Sequence, residues 1–427
     1  MITLVLLLSL GILLLLNVPI GVSLGLATFI AIMANGLSIP LEVIPQKMLT
    51  SVDSFPFMAI PFFMFAGTIM QVGGISRRLI NFAKCLVGSL PGGLGIISVF
   101  SSAFFGAISG SNAATVAAIG KIMIPSMEKE NYPKDYASAV VASAGTLGVV
   151  VPPSVPMITY GVISGVSIGS LFLAGIVPAL LMVVALSITI IYFANKHNLP
   201  KGRFSLSQLG KSFIDAIFAI LMPVIVLGGI YGGFFTPTEA AAVACIYAII
   251  ITFVVYREIR IPELKKIIID SGQATAVVFF VIATSSAFSW LLTSERIPDA
   301  IASGILYISD NALIILLAIN LLLLIFGVFL ETNAIILLVT PILLPIAAKI
   351  GLDPLVLGIV MIVNTSIGMI TPPMALNIVI ASGISGASIE GISKKVLPFF
   401  IMLFIVVLVI TYIPGIITFL PNLLGDI

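Results

Sequence analysis

Of the 427 residues, 60% are hydrophobic and 8% charged, whereas a soluble domain is roughly 45–50% apolar and about 25% charged; a water-soluble core is excluded, and the solvent implied is the lipid bilayer. The net charge of +2 is spread over separated Lys and Arg residues, which rules out the basic stripe that nucleic acid requires and leaves no nucleic acid partner. Two cysteines without a CxxC pair and one histidine, His197, exclude a disulfide framework, a zinc site and histidine-based catalysis.

In chain order, the segment from Met1 to Leu16 is apolar at once, without a basic stretch before it or a clear cleavage site, and is expected to be a retained helix rather than a signal peptide. A spanning helix needs about 20 mostly apolar residues. Spans are predicted at 2–35 (one long helix, or two short ones broken near Asn17 and Pro19), 55–73, 137–160, 170–195, 213–234, 238–256, 272–293, 354–380 and 397–421. Two other apolar stretches, 91–125 and 312–347, are too long for one helix and carry polar residues at their middles, Ser109 to Asn112 in one and Glu331 to Asn333 in the other. Both read as re-entrant hairpins that enter and leave on one face. Between spans, Thr236-Pro237-Thr238-Glu239 has the form of a capping box, with Thr236 as N-cap and Glu239 reaching back to free backbone N–H groups.

Lys and Arg collect in cytoplasmic loops. Arg77, Arg78 and Lys84 precede the first hairpin and Lys121, Lys129 and Lys134 close or follow it, so its ends are cytoplasmic. Further clusters fall on the same side: Lys196, Lys201, Arg203 and Lys211; then Arg257, Arg260, Lys265 and Lys266; then Lys394 and Lys395. The second hairpin is flanked by Glu295, Arg296, Asp299, Asp310, Lys349 and Asp353, mostly acidic, and opens outside.

At an offset of about 220 the chain resembles itself. Phe105-Gly106 followed by Ser111-Asn112 corresponds to Phe326-Gly327 followed by Thr332-Asn333; Gly148 to Pro153 corresponds to Gly368 to Pro373, and Ser164-Gly165 to Ser385-Gly386. Several matches in one order imply duplication, and opposite hairpin openings imply inverted topology. The expected fold is an all-α polytopic membrane protein of two inverted repeats, 1–200 and 201–427, each with a re-entrant hairpin and a broken helix. That is the architecture of secondary transporters, which bind substrate at the repeat interface. The plainer reading is that the Gly and Pro residues only permit close helix packing.

Irregular backbone at membrane depth must be covered by protein, water or ligand. Unwound carbonyls suit a small cation and helix N-termini suit an anion. Ser109, Ser111 and Asn112 with carbonyls around Gly145 and Thr146 form one candidate cation site. Thr332 and Asn333 with carbonyls around Asn364, Thr365 and Gly368 form its mirror. Candidate substrate contacts by position are Ser154, Thr159, Asn364, Thr365, Thr371 and Asn377. No Lys or Arg lies in a predicted span or tip. Glu331 is the acidic residue predicted deepest in the membrane, where charge is expensive; it serves cation coupling, gating of the outer hairpin, or only faces an aqueous vestibule.

The motifs SGSNAAT at 109–115, the Pro-Pro segment at 148–156, GGFFTPTEAAAV at 232–243, NTSIGMITPPMALN at 364–377 and GGISRRL at 73–79 resemble the large membrane subunit of tripartite ATP-independent periplasmic (TRAP) transporters, over essentially the whole chain. The resemblance implies sodium-coupled import of an organic anion by an elevator-type motion in the bacterial inner membrane, with no enzymatic activity and no cofactor besides sodium. It also implies two partners, a separate small membrane subunit and a periplasmic substrate-binding protein. Family substrates include C4-dicarboxylates and sialic acid, and overall likeness points to the sialic-acid type. Family-style sodium ligands carry over to Ser109, Ser111, Asn112, Thr332 and Asn333 and the facing breaks. A channel or a membrane scaffold without coupled transport is the alternative; a continuous polar pore stripe, which a channel should show, is missing. An enzyme ranks last, for want of an HExxH, a GxSxG or a paired intramembrane Asp motif.

Overall fold

A computed structural model of the chain describes residues 2–16, 18–34, 39–197, 206–298, 301 and 311–424. Lys201, Arg203, Asp299 and Asp310, used above to assign sides, lie outside the described residues. The described chain is helical throughout, and among its residues eight helices are long and apolar enough to cross a membrane.

The N-terminal stretch is two helices, α1 (Ile2–Leu15) and α2 (Ile20–Ala34), and α3 (Val43–Val52) follows. A 3-10 turn at Phe55–Met58 leads into α4 (Ala59–Val72), and Gly74, at φ 72°, turns the chain into α5 (Ile75–Val87). Next come α6 (Gly93–Ser109) and α7 (Asn112–Lys129), the two arms of the first hairpin. Helix α8 (Lys134–Ala144) tightens into a 3-10 turn, Gly145–Val149, and the chain restarts as α9 (Val155–Ser164) after Pro152-Pro153. Proline donates no backbone N–H and crowds the preceding turn, so a helix arriving there stops. Helices α10 (Ile168–His197), α11 (Leu206–Tyr231), α12 (Pro237–Ile250) and α13 (Ile261–Ser294) complete the middle of the chain. The capping box before α12 is formed: Glu239 Oε2 accepts from Thr236 N at 2.8 Å, and Thr236 Oγ1 accepts from Glu239 N at 3.3 Å.

The second hairpin is α14 (Ala312–Phe329) and α15 (Thr332–Lys349), and α16 (Pro354–Gly368) breaks before α17 (Leu376–Ser385). The Pro-Pro bonds of both breaks, Pro152-Pro153 and Pro372-Pro373, are cis. The predicted span at 397–421 is corrected to two helices, α18 (Ile389–Tyr412) and α19 (Gly415–Leu424), because Pro414 sits where a continuing helix would need its N–H.

The helices sort into two packed groups. In one, α2 and α3 lie on α13, α4 on α12 and α13, and α11 on α12. In the other, α7 and α8 pack on α17, α9 on α15, α10 on α18 and α19, and α14 on α16. Elements of the N-terminal and C-terminal parts of the chain interlock in this second group. At one seam the ring of Tyr160 lies over Gly358, where an added Cβ would come 2.3 Å from it, and its hydroxyl donates to Pro354 O at 2.6 Å. Helix α5 bridges the groups, resting on α11 and α6. Its Arg78 sits 3.7 Å over the Tyr256 ring, pairs with Glu258 at 2.7 Å and lies 3.4 Å from Asp215. A guanidinium stacks and pairs at once in this way because it is planar and weakly hydrated.

Candidate functional site

The first hairpin tip turns at Gly110, whose φ of 58° lies in the region that only glycine enters freely. The chain then re-enters a helix at Ser111, whose hydroxyl accepts from Ala114 N at 3.4 Å, an N-cap. Asn112, 1% exposed, is the first residue of α7. Its Oδ1 accepts from Val149 N at 3.0 Å, and its Nδ2 donates to Ser366 Oγ at 2.9 Å and lies 3.2 Å from Met369 Sδ. Ser366 in turn donates to Thr146 O at 2.6 Å. The 3-10 turn has broken the helical ladder here, so Val149 N–H must find a partner elsewhere. One asparagine thus ties the first tip to both broken helices. Beside it, Ser109 Oγ is 3.1 Å from Thr115 Oγ1, and Thr115 donates to Ser111 O at 2.8 Å.

Each hairpin touches a break through glycine. A Cβ on Gly106 would lie 3.0 Å from Gly148 Cα, and a Cβ on Gly327 would lie 2.9 Å from Gly368 Cα. Backbone meets backbone at both places, which a larger side chain would prevent.

At the second tip the turn is made by Leu330 and Glu331 in extended conformation. Thr332 Oγ1 lies 3.8 Å from Met369 Sδ, so this tip reaches the same residue as Asn112. Asn333 donates to Glu331 Oε1 at 3.3 Å, while its own Oδ1 is buried without a hydrogen-bond partner among the described residues. Glu331 is exposed.

The remaining candidates divide. Asn364 donates to Asn320 O at 3.0 Å and Oδ1 at 2.8 Å, and Asn320 donates to Thr411 Oγ1 at 3.2 Å, a buried polar cluster joining α14, α16 and α18. Asn377 donates to Ala142 O at 3.1 Å. Like Asn333, both asparagines keep an Oδ1 that is buried and unpartnered among the described residues. Gly145 faces Val116, and a Cβ there would lie 3.4 Å from Asn377 Nδ2. The hydroxyls of Ser154, Thr159, Thr365 and Thr371 are each bonded to nearby carbonyls, of Val149, Val155, Met361 and Ile367. The structure therefore gathers Asn112 and Thr332 around Met369, joins Thr146 to Asn112 through Ser366, and leaves Thr159 on α9 with its hydroxyl held by its own helix. Sequence reading missed Ser366, Thr115 and Asn320. Ser366 was findable, since it stands 220 residues after Thr146 with a hydroxyl at both positions.

Four helix N-termini converge here. Asn112 and Thr332 open α7 and α15, Asn377 N donates to Met369 O at 3.1 Å near the start of α17, and a Cβ on Gly110 would lie 3.2 Å from Val155 N at the start of α9. N-terminal backbone N–H groups favour an anion. Among the described residues no group of three His, Cys, Asp or Glu side chains could hold a metal ion, so the oxygen donors at this site are amides, hydroxyls and carbonyls.

Residues 7–416 match the family described as "Tripartite ATP-independent periplasmic transporter, DctM component". The chain is 45% identical over 404 residues to the isethionate TRAP transporter permease protein DctMQ of Oleidesulfovibrio alaskensis, covering 94% of this chain and 63% of that longer protein. It is 42% identical over 380 residues to the C4-dicarboxylate TRAP transporter large permease protein DctM of Pseudomonas aeruginosa, covering 89% of each. It is 39% identical over 411 residues to the sialic acid TRAP transporter large permease protein SiaM of Vibrio cholerae, covering 95% of each. In fold it is similar to the YdaH transporter of Alcanivorax borkumensis, with a TM-score of 0.63 at 15% identity over 85% of this chain and 86% of that one. These relatives are membrane permeases, not enzymes, and this chain, a multi-pass protein of the inner membrane, belongs to the DctM family, the large permease component of TRAP transporters.

Proposed function

We propose that the chain is the permease of a sodium-coupled secondary transporter that imports an organic anion handed over by a periplasmic binding protein, in complex with a small membrane subunit. The observation that carries this reading is the meeting of two hairpin tips and two broken helices at one buried polar centre, where four helix N-termini favour an anion and unpartnered amide oxygens fit a small cation. Asn333, Asn364 and Asn377 would supply side-chain oxygens to sodium, with carbonyls near Gly145, Thr146, Thr365 and Gly368. Ser109, Ser111, Asn112 and Thr332 shape the tips around them. Glu331, exposed at the outer tip, stands where a gate would close.

Two inverted repeats, within 1–200 and 201–427, are supported by matched features on both sides: hairpins 91–125 and 312–347, glycine contacts 106–148 and 327–368, and Pro-Pro breaks. The helix group that holds both tips and both breaks would slide as an elevator against the group built on α13. Its substrate carries a carboxylate or sulfonate: the relatives are named for isethionate, C4-dicarboxylate and sialic acid, and the sialic-acid expectation stays one member of that set.

Uptake into proteoliposomes holding this chain, its small subunit and the binding protein tests the reading, with isethionate, a C4-dicarboxylate and sialic acid supplied in turn. Uptake of one of them should need all three proteins and an inward sodium gradient. Uptake indifferent to sodium and to the binding protein would refute it.

A further inference from the structure

A cavity of about 240 Å³ lies between the two helix groups, lined by four serines, Ser51 at the end of α3 and Ser285, Ser286 and Ser289 on α13, and by six apolar side chains, Leu337 and Pro341 of α15 among them. Helical hydroxyls in this protein ordinarily bond back along their own helix: Thr284 donates to Phe280 O at 2.9 Å and Thr293 to Ser289 O at 2.8 Å. Ser285 does not. It is 1% exposed, and its Oγ has no partner among the described residues. Ser289 reaches across the gap instead, 3.5 Å from Leu337 O. A water occupies roughly 30 Å³, so the space holds several waters or a small organic anion.

A basic residue stands near this serine wall. Lys47 lies one helical turn before Ser51, on the same face of α3. Its Nζ is 5.7 Å from the ring centroid of Trp290, which directly follows Ser289 and stands one turn after Ser286. Neither Lys47 nor the nearest acidic residues along the chain, Glu42 and Asp53 at the two ends of α3 and Glu295 at the end of α13, line the cavity itself. Leu337 is five residues along α15 from Thr332 at the second tip, about 8 Å at the helical rise.

We propose that this cavity is an outer anion subsite. Lys47 draws in the charged end of the organic anion, the hydroxyls of Ser285, Ser286 and Ser289 hold it, and it passes from there along α15 to the second tip. The inference rests on the organic-anion transport reading and adds to it a recognition point on the helix group that does not carry the tips.

Thiol chemistry tests it. In a background with Cys85→Ser and Cys245→Ala, Ser286→Cys and Ser289→Cys are treated in spheroplasts with impermeant methanethiosulfonates added outside, one carrying a sulfonate and one a trimethylammonium. With rates normalised to free cysteine, the sulfonate reagent should react about five-fold faster, the preference expected when a unit positive charge about 8 Å away in water attracts one reagent and repels the other. Lys47→Gln should bring that ratio to about one, and labelled carriers should lose uptake. No reaction from outside, a ratio near one with Lys47 in place, or full uptake after complete labelling would each overturn the proposal. Labelling needs neither substrate nor sodium, so the subsite is decided even where coupled uptake fails.

Discussion

At the first hairpin tip, Gly110 in the left-handed region folds Ser111 and Asn112 under the arm, and Asn112 spends its amide on Val149 and Ser366, one from each half of the chain. At the second, Leu330 and Glu331 are extended, Asn333 leans only on Glu331, and its carbonyl oxygen is left over. Positions that match at the offset of about 220 thus make different contacts. The first tip is a fastener that fixes both breaks, while the second keeps an unpartnered acceptor and makes fewer ties. Buried amides that satisfy each other rigidify a core, and an unmatched one costs stability unless a ligand completes it.

Five substitutions would break or sharpen that contrast. The largest effect belongs to Asn112→Ala, which strands the Val149 N–H at a cost of roughly 1–3 kcal/mol; uptake should fall to background and the unfolding temperature in detergent should drop, whereas unchanged unfolding would mean that the first tip fastens nothing. Next comes Gly368→Ala, whose Cβ would lie 2.5 Å from the Gly327 backbone, against 3.0 Å from the Gly148 backbone for Gly106→Ala, on the hairpin side of the other contact. Overpacking of this kind costs about 1–3 kcal/mol, and thermal unfolding should rank Gly368→Ala as the more damaging. Asn333→Ala should change stability by less than about 1 kcal/mol, because it removes one hydrogen bond to an exposed carboxylate, yet raise several-fold the sodium concentration for half-maximal uptake. The smallest effect is expected for Glu331→Gln, within about 0.5 kcal/mol of wild type in stability and with uptake retained. Abolished uptake would move Glu331 from the gate rim into cation coupling.

Much of the architecture could be read from the sequence because the bilayer dictates it. Apolar length marked the spans, polar interruptions marked the hairpins, and Gly-to-Pro-Pro segments marked the breaks. Short or half-polar helices escaped: α3 and α5 have 10 and 13 residues, below the length of a span, and α13 begins at Ile261 rather than 272 because its first turns carry Glu263, Lys265, Lys266 and Asp270. The site was legible as a set of residue types but not as a wiring. The bond from Asn112 to Ser366 crosses 254 residues of sequence, and no local periodicity reports which of several hydroxyls a tip asparagine will meet. The same gap explains why Thr159 looked available: its position was readable, the bond its hydroxyl makes to Val155 was not.

Whether sodium completes the second tip is most directly measured by thermal unfolding of the purified protein in sodium chloride against equal potassium chloride. A ligand present at 100 times its Kd stabilises the folded state by about 2.7 kcal/mol, so the wild-type protein should unfold at a higher temperature in sodium, and Asn333→Ala should shrink that increment. Equal unfolding temperatures in the two salts, or an increment that survives Asn333→Ala intact, would contradict the account.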